Sequence, residues 1–305
     1  MISKKLLLFT IFSFLILLAS CEQQDSPYVY HQPENHADGW ESEDLSDVGI
    51  DTAKLESMVD DIQDGSYENL HSILVVKDGK LVFEEYFQGY NWYTKHYVTS
   101  VTKSVTSALI GIAIEQGYIA GSDQILSELL PEYADLINAD TNRKSLKLKH
   151  ILTMTSGIEW DEETHPYGHP QTDCERMQSG GDMVGYVLER PVINEPGTHF
   201  QYSCASTMLL SAVIKTQTGI NADEFAEKYL FEPLGITDYK WETYTGGLSQ
   251  TDGGLHLRPR DLAKIGLLYL NDGRWDGQQV IPKAWVDEST RAHIPVILNA
   301  KYGFQ

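Results

Sequence analysis

Ser100-Val101-Thr102-Lys103 leads into the apolar stretch Ser104–Gln116, which Gly117 ends. A serine and a lysine three apart at the start of a helix share one face, a turn from each other. A serine hydroxyl is a weak nucleophile and needs a base, and a lysine in a desolvated pocket loses enough basicity to take that proton. The helix N-terminus favours negative charge developing beside it. By itself the spacing is weak, since it arises about once by chance in a chain of this length. A capping serine beside a solvated lysine would produce the same pattern.

His165 and His169 are four apart, near Asp161, Asp173 and Cys174, which suggests a metal. Pro166, Gly168 and Pro170 forbid the helix that would put both imidazoles on one face, so they read as polar loop residues over a cleft. Glycine-rich phosphate loops, Gly-x-Ser-x-Gly elbows and His-Glu-x-x-His are absent from the sequence. The expectation is no metal and no cofactor.

The elements that must hold such a site are helix-rich. Leu55, Met58, Val59 and Ile62 predict an amphipathic helix over 51–64. Ser72–Val76 and Leu81–Phe87, joined by Lys77-Asp78-Gly79-Lys80, predict a hairpin. Shorter helices are expected over 126–130, 149–155, 183–189 and 224–229, and longer ones over 207–217 and 261–270. Ser156 to Gly181 reads as one long loop that serves the site, with Trp160 and Tyr167 as candidate substrate contacts. The tally predicts an α/β fold of the α+β type.

The 305 residues carry 44 acids against 23 Lys and Arg, a formal charge of −21. Such a surface repels phosphate backbones, which argues against nucleic-acid binding and for a small substrate. Lys4 and Lys5 precede an apolar run over 6–18 that is too short to span a bilayer. It ends in Leu18-Ala19-Ser20-Cys21, which resembles the lipobox of bacterial lipoproteins. The expected organisation is therefore a signal peptide over 1–20 and an acidic solvated tether over 21–48, with the domain over 49–305. Acylated Cys21 would anchor an exported chain to the bilayer, facing the periplasm or cell surface. Cys174 and Cys204 would then sit in an oxidising compartment, as a disulfide or as two thiols.

Three further stretches join Ser100 and Lys103. They are His150–Ile158, then Phe200-Gln201-Tyr202-Ser203-Cys204 after the turn Glu195-Pro196-Gly197, and finally Gly253–Ala263. In this order and spacing, from about Ser72 to Phe304, the chain resembles the serine β-lactamase and penicillin-binding-protein superfamily. Within it the likeness is to the branch of class C β-lactamases, related esterases and 6-aminohexanoate-dimer hydrolases. The resemblance implies an antiparallel sheet flanked by helices, plus an all-helical subdomain. It implies Ser100 as acylated nucleophile, Lys103 as its proton partner and Tyr202 as the tyrosine of the Tyr-x-Asn motif. The backbone N–H of Ser100 would be one oxyanion donor.

Cys204 stands where that motif has Asn and cannot donate and accept like an amide, so ester or amide hydrolysis is expected ahead of β-lactam turnover. Alternatives are a β-lactamase or D-alanyl-D-alanine carboxypeptidase, and a catalytically inert penicillin-binding-like protein or fragment. The family's further C-terminal strands follow a segment like Tyr302-Gly303-Phe304, so the chain is expected to be truncated there.

Overall fold

A computed structural model describes residues 27–296 and 300–305; Cys21 and the signal-like segment 1–20 lie outside the described residues. In chain order the elements begin with helix α1 (Thr52–Gln63) and the hairpin β1 (Ser72–Lys77) and β2 (Lys80–Tyr86). The short strand β3 (His96–Tyr97) then leads into helix α2 (Val101–Glu115). Five short helices follow: α3 (Leu126–Leu129), α4 (Ala134–Asn138), α5 (Leu148–Leu152), α6 (Asp173–Ser179) and α7 (Met183–Leu188). Next come α8 (Cys204–Thr218), α9 (Ala222–Ala226), β4 (Lys240–Trp241), β5 (Leu255–Leu257) and α10 (Pro259–Leu270). A small hairpin β6 (Arg274–Trp275) and β7 (Gln278–Gln279), helix α11 (Lys283–Ser289) and the pair β8 (Ile294–Pro295) and β9 (Lys301–Tyr302) complete the described chain.

The main core is helical. A helix apolar on every side belongs inside a protein rather than on its surface. The α2 sequence is of that kind, and Val105, Ala108, Leu109, Ile110 and Ala113 are all fully buried. It packs against α8, α9 and α11. Gly111 permits the last contact, because a Cβ there would lie 2.2 Å from the Trp285 ring.

The β part is antiparallel throughout its named strands. The β1–β2 turn places Asp78 at φ 52 and Gly79 at φ 85, the two left-handed residues of a type I′ connection. β5 lies between β3 and β4, with His96 opposite Leu257 and Tyr97 opposite His256. That long-range pairing sets the entry to α2, and Val98 N–H donates to the Leu255 carbonyl at 3.0 Å.

Two expectations need correction. Residues 27–48 are not a solvated tether. Trp40 and Leu45 are buried, and the Trp40 indole N–H donates to the Arg260 carbonyl at 3.1 Å. The Tyr30 hydroxyl reaches the Val82 carbonyl at 3.0 Å, and Ser42 bridges to Leu81 in parallel. Arg260, almost wholly buried, pairs with Glu84 of β2 and with Asp38 of this segment. Aliphatic residues are few here, but aromatic rings and one buried guanidinium supply the adhesion. The stretch 156–181 is likewise not one loop. It contains α6, whose N-terminus is capped by Thr172 Oγ1 accepting from Glu175 N–H. The prolines and two of the four glycines of this stretch precede α6, and Gly180 ends it.

Candidate active site

Ser100 occupies the N-cap of α2 but makes no capping bond through its side chain. Its Oγ instead accepts from Lys103 Nζ at 3.1 Å and from the Tyr202 hydroxyl at 2.9 Å. The residue before it, Thr99, is held at φ 45. A β-branched residue in the left-handed region is strained by roughly 1–3 kcal/mol, a cost that the surrounding structure must impose.

That surrounding structure is a ladder of threonines. Thr102 Oγ1 accepts from Leu255 N–H at 3.3 Å, and Thr106 Oγ1 donates to the Thr251 carbonyl at 3.1 Å. Thr251 Oγ1 in turn donates to the Thr207 carbonyl at 2.8 Å. The ladder ties α2, the approach to β5 and α8 into one block. Lys103 lies inside it, 4% exposed, and its Nζ also donates to the Asp252 carbonyl. Tyr202 arrives on an extended segment in which Gln201 N–H donates to the Met154 carbonyl at 2.9 Å, and Ser203 then caps α8. The Tyr202 ring centroid is 5.2 Å from Lys103 Nζ.

These three residues form the floor of a cavity of about 250 Å³ whose walls are Tyr97, Tyr167, Glu162, Cys204, Asp252 and Gly253. Tyr167 and Cys204 line the cavity that contains Ser100. Trp160 does not: it is buried, and it lines an adjoining polar groove of about 480 Å³ that shares Glu162 and Tyr202. Its indole N–H donates to Glu162 Oε2 at 2.8 Å, so its part is to hold that carboxylate. His165 and His169 stack on each other at 4.5 Å and do not line the Ser100 cavity.

Sequence reasoning missed Glu162 and Asp252. Glu162 Oε2 also accepts from Cys204 N–H at 2.8 Å. Burial raises the Glu162 pKa above the usual carboxylate value, and the N–H bonds and nearby Lys103 partly offset this. Asp252 accepts from the buried Tyr244 hydroxyl, whose pKa is pushed well up by burial and by that carboxylate. Tyr97 is raised by burial and then by Asp252. Among the described residues Lys103 is the one Lys or Arg lining this cavity, together with the acidic residues Glu162 and Asp252.

Cys174 and Cys204 are joined as a disulfide with Cα atoms 6.3 Å apart, inside the normal range. The bond links α6 to the start of α8 and lies against Glu162, whose Oε2 is 3.3 Å from Cys174 Sγ. Gly157 starts the loop bearing Glu162 and Tyr167 at φ 71, and its carbonyl accepts from Ile193 N–H at 2.8 Å. A Cβ on Gly157 would lie 2.1 Å from the Asn194 carbonyl oxygen.

The Beta-lactamase family model matches residues 69–303. A 6-aminohexanoate-dimer hydrolase from Paenarthrobacter ureafaciens is 26% identical over 224 residues, covering 71% of this chain and 56% of the relative. An ML-236A carboxylate methylbutanoyltransferase from Penicillium citrinum is 31% identical over 158 residues, covering 46% of this chain and 36% of the relative. This chain thus spans about half or less of the length of these two curated relatives. Among solved structures, an octameric penicillin-binding protein homologue from Pyrococcus abyssi superposes with a TM-score of 0.60 at 21% identity, covering 84% of this chain and 64% of that one. The common fold is mixed α/β with antiparallel sheets and flanking helices.

Proposed function

The chain belongs to the Beta-lactamase family, and from that premise we propose that it is a serine hydrolase that cleaves a small ester or amide through an acyl-enzyme on Ser100. One observation carries the reading: a single hydroxyl oxygen receives hydrogen bonds from both a buried lysine and a tyrosine. A serine serving only as a cap would direct its oxygen at the backbone of its own helix.

In this mechanism Ser100 Oγ attacks the substrate carbonyl carbon as Lys103 Nζ takes the hydroxyl proton. The carbonyl oxygen gains charge beside the start of α2, with the Ser100 N–H as a donor. Tyr202 passes a proton to the departing alcohol or amine, leaving an ester on Ser100. Water then attacks that ester with Tyr202 taking its proton, and Lys103 returns its proton to Ser100 Oγ as the acid leaves, restoring all three residues.

Two features support an ester or amide over a β-lactam. Cys204 occupies the amide position of the Tyr-x-Asn motif, and its sulfur, joined to Cys174, has no hydrogen to donate. The cavity also holds two carboxylates against one lysine already engaged by Ser100 and the Asp252 carbonyl, which disfavours acids as substrates. A relative is named for hydrolysis of the 6-aminohexanoate dimer, an open-chain amide that itself carries a carboxylate, so it supports an amide over a β-lactam and gives no support to the exclusion of acids. Export and anchoring through acylated Cys21 belong to the proposal and rest on the lipobox-like Leu18-Ala19-Ser20-Cys21.

The test is intact mass after exposure to a fluorophosphonate ester, with peptide mapping of the adduct. One adduct on Ser100, absent from Ser100→Ala along with ester hydrolysis, is expected. Full ester hydrolysis by Ser100→Ala overturns the assignment.

A further inference from the structure

We propose that Glu162, Cys174 and Cys204 form a binding site for a thiophilic divalent cation, zinc above all, which exists only while the Cys174–Cys204 bond is reduced. Disulfide and metal are then alternative states of one wall of the Ser100 cavity. The proposal does not depend on the hydrolase reading.

The three donors come from separate backbone segments and lie within 4.8 Å of one another, two of them as the bonded sulfur pair and the third as the Glu162 carboxylate beside it. Both cysteines are 3% exposed, and Cys174 Sγ lies 3.3 Å from Glu162 Oε2. Zinc takes thiolate sulfur at about 2.3 Å and carboxylate oxygen at about 2.0–2.2 Å in a tetrahedron. That geometry places two sulfurs about 3.8 Å apart, which rotation about each Cα–Cβ bond can supply across a 6.3 Å Cα separation. Three protein donors leave a fourth position open, the arrangement of sites that keep a water or exchange a ligand. Two of the three, Glu162 and Cys204, border the Ser100 cavity.

The donors are held by contacts other than the sulfur bond. Asp173, adjacent to Cys174, is buried, accepts from Asp161 N–H at 2.7 Å and pairs with Arg190 at 3.0 Å. Asp173 N–H closes back on the Asp161 carbonyl at 2.8 Å. Glu162 is fixed by the Trp160 indole, and Cys204 by its place in the first turn of α8. Reduction therefore frees two thiols without freeing the loop. Soft sulfur paired with one carboxylate favours zinc over magnesium or calcium, which take oxygen donors.

The chemistry balances. A water-soluble phosphine and water convert the disulfide to two thiols and a phosphine oxide. The cation then displaces two thiol protons. Two thiolates and one carboxylate around a divalent ion carry the same net charge as Glu162 beside the disulfide, so the wall's electrostatics change little between states.

The experiment titrates cobalt(II) into the phosphine-reduced full chain carrying Cys21→Ser, with near-ultraviolet circular dichroism reporting the fold. One equivalent should bind with a thiolate-to-cobalt charge-transfer band and the strong visible bands of tetrahedral cobalt, all bleached by zinc. The oxidised chain should show none of these. Glu162→Gln should keep the charge-transfer band with at least tenfold weaker binding, and Cys174→Ser should lose most of it. A folded reduced chain without the band overturns the proposal. So does a band that survives in the Cys174→Ser, Cys204→Ser double variant, or reduction that by itself abolishes the near-ultraviolet signal.

Discussion

Tyr202→Phe separates a catalytic tyrosine from a structural one, because it removes a single oxygen. The ring remains, and with it the 5.2 Å approach of Lys103 Nζ to the ring centroid. The backbone bond from Gln201 and the Ser203 cap are untouched. What goes is the 2.9 Å hydrogen bond to Ser100 Oγ. An intramolecular bond of that kind contributes about 0.5–1.5 kcal/mol, and this solvent-exposed one belongs at the lower end. Loss of a general acid–base group costs roughly 10²–10⁴ in rate, or about 2.7–5.4 kcal/mol of activation free energy. The rate should therefore fall by far more than the stability does. Steady-state hydrolysis of a chromogenic ester, beside urea unfolding of the same two proteins, measures both. A kcat within about threefold of the parent, or a loss of stability equal to the loss in activation free energy, would refute the role given to this hydroxyl.

Gly157→Ala combines a φ of 71 with a Cβ 2.1 Å from a backbone oxygen, and should cost roughly 3–5 kcal/mol. Gly65→Ala, at φ 90 with open space around it, should cost only about 1–2 kcal/mol; equal shifts in melting temperature would dismiss the steric argument. His150 is pushed down to about 4 from its ordinary 6.5, chiefly by burial and then by Lys149 and Lys147. The unfolded chain therefore takes up a proton that the fold refuses, and this contribution is complete above pH 6.5 and erodes as pH falls towards 4. In His150→Gln the decline in unfolding free energy across that window should be shallower, and identical slopes would remove His150 as its source. Esters bearing a carboxylate on the acyl group should show kcat/KM at least about fivefold below neutral isosteres, the effect of one like charge at close range, with the gap narrowing as salt rises. An acid turned over as well as its neutral partner would mean that Glu162 and Asp252 do not govern the cavity.

Ser100 and Lys103 were legible because their relation is local: three residues on one helix turn fix their distance wherever the helix goes. The β1–β2 hairpin was legible for the same reason, through Asp78-Gly79 between two apolar runs. Tyr202 lies 102 positions from Ser100, and only resemblance to a family joined them. Glu162 had no local signature, standing among Glu159, Asp161 and Glu163. It differs from them in what surrounds it, the Trp160 indole two residues away and the first N–H of α8, and the second of these is a product of tertiary packing. The same division explains the strands. β3 and β5 are two and three residues long and pair across 161 positions, His96 with Leu257, so no periodicity announces them. Yet this unannounced pairing builds the site. It fixes Val98 against Leu255 and turns the chain into α2 within two residues. Thr99 absorbs that turn at φ 45. The strain at Thr99 follows from holding Ser100 Oγ at the meeting point of Lys103 and Tyr202, and only long-range β pairing and the threonine ladder are positioned to enforce it.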